Sequence, residues 1–106
     1  MTTAKDFILN LPAKAKPETL KGLETLFHFD ISGDGGGAFT VKIADGAMVA
    51  TEGHQGEPKC TVKATSDNFM GTLRGDINPM MAVLTGKIKI SNQGEMMKYA
   101  KIFGLM

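Results

Sequence analysis

A chain of 106 residues makes one domain with room for a real but modest core. Its 12 basic and 11 acidic side chains leave a formal charge of +1, too weak a field to recruit nucleic acid. The longest apolar run, Met80 to Leu84, falls far short of the roughly 20 residues of a membrane span; the opening residues lack a signal-peptide core, and the lone cysteine, Cys60, has no disulfide partner, so a soluble cytoplasmic protein is expected.

Thr3 followed three residues later by Asp6 marks a helix start. Ala4, Phe7, Ile8 and Leu11 then form one apolar stripe, and Pro12 is expected to end the helix near Leu11. A short basic link follows. Pro17 to Gly22 reads as one further helical turn, proline at its start and glycine at its end.

Period two takes over at Thr25. Phe27, Phe29 and Ile31 alternate with polar neighbours, and after a glycine-rich loop Phe39, Val41 and Ile43 do the same. Asp45 and Gly46 form a strong hairpin signal leading to a third strand, Ala47 to Glu52. A polar loop precedes a fourth, Cys60 to Thr65, in which Cys60, Val62 and Ala64 share a face.

Helical spacing then returns. Thr65 or Ser66 caps a helix carrying Phe69, Met70 and Leu73, stopped near Gly75. Asn78 and Pro79 open a second, apolar on nearly every side and therefore expected to be buried on most faces. Lys87 to Ile90 is a fifth strand, and a last helix runs from Glu95 to about Met106. Helix, four strands, helices, strand, helix describes an α+β fold: a five-stranded, mainly antiparallel sheet with helices covering its one apolar face.

Several motifs reduce to ordinary structure. Asp30 to Gly35 imitates the first half of a calcium loop, but Val41 stands where a bidentate glutamate belongs. Gly33 to Ala38 fits a loose dinucleotide pattern, yet a strand follows it instead of a helix N-terminus. His28 and His54 read as a surface pair, not metal ligands. Cys60 reads as a small apolar residue at a strand start. No carboxylate pair, Ser/His/Asp set or activated nucleophile emerges along the chain, although such sets assemble in space. Lys42, Lys63, Lys87 and Lys89 fall on the polar face of the sheet, as a solvated surface or one open to transient contact with anionic membranes.

One segment carries a family resemblance. Asn78 and Pro79, then Ala82, then Gly86, Lys87, Ile88, Lys89 and Ile90 resemble the late part of the sterol carrier protein 2 (SCP-2) sterol-binding domain. There a proline-started helix runs into a Gly-Lys-aliphatic-Lys-aliphatic strand and then a C-terminal helix. Element order and length agree as well, so the resemblance covers nearly the whole chain. It implies an apolar tunnel between sheet and helices, non-covalent binding of fatty acid, fatty acyl-CoA, sterol or phospholipid, no cofactor and no catalytic residues. Two departures stand out. Asn92 takes a place where the family often has glycine, and the end Gly104, Leu105, Met106 is not the Ser-Lys-Leu-like signal of peroxisomal members.

The resemblance gives the methionines a cavity to line. Methionine is flexible and polarizable, suited equally to gaps in a core and to adaptable lipid walls. Expected lining residues are Phe29, Phe39, Val41 and Val62 from the sheet. From the helices come Phe69, Leu73, Met80, Met81 and Leu84, then Met96, Met97, Phe103 and Met106. Core and wall both demand inward apolar side chains, so the sequence leaves some of these as plain core. Met81→Asp is expected to abolish ligand binding or folding, and Pro79→Ala to cost little. The alternative function is a packed interaction or accessory module without a ligand cavity.

Overall fold

A computed structural model describes residues 3–103. Helices α1 (Ala4–Leu9), α2 (Leu11–Lys14) and α3 (Pro17–Leu20) come first. Strands β1 (Thr25–Ser32), β2 (Gly37–Ala44), β3 (Ala47–Glu52) and β4 (Cys60–Thr65) follow. The last described elements are α4 (Ser66–Arg74), α5 (Pro79–Leu84), β5 (Ile88–Ile90) and α6 (Gln93–Tyr99). Met106, expected in the last helix, lies outside the described residues.

The five strands lie in the order β3-β2-β1-β4-β5. Three pairings are antiparallel; β1 with β4 is parallel, which makes the sheet mixed. Register aligns the apolar side chains in rows. Phe29 stands opposite Phe39 and Val62, and Phe27 opposite Val41 and Cys60. All six are buried beneath the helices. Five phenylalanines (Phe27, Phe29, Phe39, Phe69 and Phe103) are almost wholly enclosed. Each contributes about 1.5–3 kcal/mol relative to exposure, so this layer outweighs any surface ion pair, worth roughly 0–1 kcal/mol.

Local signals set the helix ends. Asp6 N–H donates to Thr3 Oγ1 (3.1 Å) and Thr3 N–H to Asp6 Oδ2 (3.3 Å), the reciprocal cap expected from their spacing. Pro12 does not end the helical region. The break falls at Asn10, and Pro12 sits within the first turn of α2, where its missing N–H costs nothing. Thr65 caps α4, which Gly75 closes at φ +87°, a left-handed conformation that glycine adopts without strain. α6 ends at Tyr99, well before the expected Met106, and turns follow through Phe103.

The connection from β3 to β4 crosses the far face of the sheet. Thr40 Oγ1 donates to Gly53 O (2.7 Å) and accepts from Gln55 N–H (2.9 Å). His28 Nε2 lies 2.8 Å from Gln55 O, and a carbonyl only accepts, so Nε2 carries the hydrogen. The rings of His28 and His54 stack at 4.5 Å and 6°. The two histidines do pair, but His28 is buried: the crossing loop covers a face that alternation alone marks as exposed.

Candidate functional site: a packed apolar layer with a polar end

The layer between sheet and helices is a lattice of aromatic edges. Phe103, in the turn after α6, meets Phe27 at 4.8 Å and Phe29 at 5.5 Å, both edge-on. Phe69 of α4 meets Phe29 at 6.0 Å and Phe7 of α1 at 6.1 Å. Such edge-to-face pairs favour fixed ring orientations while the rings stay apolar to any neighbour. α4 delivers Phe69 because its caps start it directly at the end of β4. α6 delivers Met96 and Tyr99 because Asn92 accepts from Glu95 N–H (3.1 Å) and fixes the first turn.

Of the expected lining residues, Phe29, Phe39, Val41, Val62, Phe69, Met96 and Phe103 are brought together here, all buried, and Leu73 packs against them half-buried. Four others go elsewhere. Met80, Met81, Leu84 and Met97 are 73%, 54%, 77% and 59% exposed. The expectation of a buried α5 is thus corrected. The helix sits at the outer end of the sheet, beside three-residue β5, and only Ala82 is fully buried. A six-residue helix at an edge has neighbours on one side only, so its all-round apolarity stays on the surface. The expectation for Met81→Asp changes with it. At a half-exposed position the carboxylate stays in water, and we expect the variant to fold, with a far-ultraviolet circular dichroism spectrum like that of the unsubstituted chain.

One end of the layer is polar, and sequence reasoning missed it. Thr25 Oγ1 donates to Glu95 Oε2 at 2.5 Å; Thr25 is buried and the Glu95 side chain is only 11% exposed. The Tyr99 hydroxyl donates to Glu24 O (3.4 Å), and burial, with nearby Glu95 adding to it, pushes its pKa up. Cys60 is buried beside them, its thiol pushed up by burial and directed at Asn92 O (3.5 Å). A thiol so held is a poor nucleophile, in line with its reading as a small apolar residue. The separation of 70 residues between Thr25 and Glu95 left no local signal for their pairing.

Two open clefts lie outside this layer. One of about 340 Å³ is on the far face of the sheet, bounded by Asp30, Ser32, Lys63, Asn68, Lys87 and Lys89 among others. The other, of about 450 Å³, lies beside α1 and α2 around Asp6, Phe7, Asn10 and Lys14. Among the described residues no three His, Cys, Asp or Glu side chains gather as a metal cluster. No helix there is long and apolar enough to cross a membrane.

Comparison with known proteins agrees with this architecture. The model of the SCP-2 sterol transfer family matches residues 6–106. No curated protein matches the sequence. The sterol carrier protein domain 2 of Helicoverpa armigera superposes with a TM-score of 0.73 at 19% identity, over 95% of this chain and 84% of that one. Palmitated SCP2L2 from Aedes aegypti gives 0.74 at 16% identity, over 95% and 94%. The stereoselective inverting sec-alkylsulfatase Pisa1 from Pseudomonas sp. also gives 0.74, at 17% identity over 96% of this chain; there the match spans only 16% of the larger protein. At such identities the likeness to each solved structure is one of fold.

Proposed function

The chain belongs to the SCP-2 sterol transfer family, and on that premise we propose that it is a non-enzymatic carrier holding one lipid between its sheet and its helices. The ligand classes are fatty acid, fatty acyl-CoA, sterol and phospholipid. The observation that carries the reading is the continuous aromatic layer of Phe29, Phe69 and Phe103 with a polar end at Thr25, Glu95 and Tyr99. Lipid sites combine these elements: apolar walls for the tail and a few polar atoms for the head. The layer is closely packed, so a tail enters by displacing side chains. Met96 and Phe103 are the ones to move. Both sit on or just after α6, a helix of only seven residues, and methionine adapts to new shapes at low cost.

The same proposal includes transient contact with anionic membranes, where such ligands reside, and no contact with nucleic acid. It also includes a cytoplasmic location, supported by the lone, buried Cys60. It assigns no catalytic step and no cofactor.

Thermal unfolding against a ligand panel tests it. A lipid at 100 times its Kd adds about 2.7 kcal/mol, which raises the Tm of a domain this size by about 10 °C or more. A panel of fatty acids, acyl-CoA, sterols and phospholipids that leaves Tm unmoved would overturn the reading. The alternative, a packed interaction module, draws on a specific observation, the exposed apolar face of α5. It expects no shift with any lipid.

A further inference from the structure

The exposed side chains of α5 form one surface. At about 100° per residue, Met80, Met81 and Leu84 span an arc of about 100°, with Ala82 on the opposite, seated side. From Leu84 the chain passes through Thr85 and Gly86 directly into the cleft on the far face of the sheet, which Gly86 and Lys87 help to line. An apolar ridge and a basic cleft therefore adjoin at one edge of the molecule.

The cleft is unbalanced in charge. Lys63, Lys87 and Lys89 line it against one carboxylate, Asp30. Lys63 and Lys89 are register partners on adjacent strands, an arrangement in which like charges repel. Among the described residues the ion pairs are Lys5–Glu52, Arg74–Asp76 and Lys98–Glu95; none involves a cleft lysine, although Asp30 is the register partner of Lys63 on its other side. Anionic groups brought to this cleft would relieve the repulsion.

We propose that α5 and the lysine cleft together dock the protein on a bilayer containing anionic phospholipid. Methionine and leucine side chains enter the acyl region, and the lysines meet the headgroups behind them. Three exposed side chains fall well short of the roughly 800 Å² each partner commits in a stable protein interface. They suit a shallow interfacial anchor, which gains from each buried methylene and each lysine near a negative surface. The proposal deepens the lipid-carrier reading and rests on it for its purpose, since a carrier must reach the membrane it loads from.

Co-sedimentation with vesicles tests it on the whole chain. The protein is mixed with vesicles of phosphatidylcholine alone or of phosphatidylcholine with phosphatidylserine. Binding is expected to the second only, with release by high salt as charges are screened. Met80→Ser/Leu84→Ser and, separately, Lys63→Glu/Lys89→Glu should each weaken partitioning about tenfold or more. These positions are exposed, and circular dichroism checks that both variants fold. Val49→Ser, which alters an exposed apolar residue on β3, should bind as the unsubstituted protein does. The proposal is overturned if the unsubstituted protein ignores phosphatidylserine vesicles, if either double variant binds unchanged, or if Val49→Ser weakens binding as much. Self-association abolished by Met80→Ser/Leu84→Ser, without vesicle binding, would give the face to a second copy and overturn it as well. Lipid-induced Tm shifts, read on the same proteins, report separately on the carrier function. Shifts that persist without vesicle binding defeat docking alone, and vesicle binding without shifts defeats the carrier reading.

Discussion

Thr25 and Glu95 show how much a single buried pair can decide. In Glu95→Ala the enclosed Thr25 hydroxyl loses its acceptor, and an unsatisfied buried donor costs about 1–3 kcal/mol. Urea unfolding should show that loss as a lower midpoint with an unchanged slope. An unchanged midpoint would mean that water replaces the carboxylate. Cys60 gives a pH prediction. Burial raises its thiol above the ordinary value of 9.0, so the folded state holds the proton more tightly than the unfolded one. The resulting stability is complete below about pH 9 and is lost as pH climbs through the folded value. Cys60→Ala should flatten that alkaline decline. In the native protein, alkylation by iodoacetamide at pH 8 should be slow and should become fast in denaturant. The buried identity of Cys60 was legible from strand alternation. Its polar neighbours Glu95 and Tyr99 were not, because side chains from distant elements meet only once the sheet and α6 are assembled.

α5 separates what pattern reveals from what it conceals. Asn78 and Pro79 were readable as cap and first turn, and Asn78 Oδ1 accepts from Met80 N–H at 2.9 Å and Met81 N–H at 3.3 Å. Asn78→Ala should cost about 1 kcal/mol, while Pro79→Ala stays within about 0.5 kcal/mol, since proline there only presets a backbone angle. Paired thermal melts measure the difference, and equal losses would show that the cap bonds contribute nothing net. What the sequence concealed is the packing of α5. Periodicity reports which sides of a helix are apolar, not how many neighbours it has. A helix at the end of a sheet keeps apolar surface that a central helix would bury. The same limit applies to His28, hidden beneath a loop whose path no residue pattern announces.

At the scale of the whole molecule, the alternating strands, the hairpin residues and the late Asn78 to Ile90 segment were enough to anticipate five strands and a helical layer. Strand order was harder. Nothing local says that the chain after β3 must cross the sheet so that β4 lies parallel to β1, because that pairing is settled by which rows of apolar side chains match. The central position of β1 has a consequence for a chain made from its N-terminus. The β1–β2–β3 meander can form as soon as Glu52 has left the ribosome, since its links are short. β1 then presents an unpaired edge, with Phe27 and Phe29 uncovered, until Cys60 to Thr65 arrive to close it. Any delay between the emergence of Glu52 and that of Thr65 from the ribosome therefore leaves the nascent chain with an edge open to other chains, so the rate at which the crossing loop emerges bears on the yield of soluble protein.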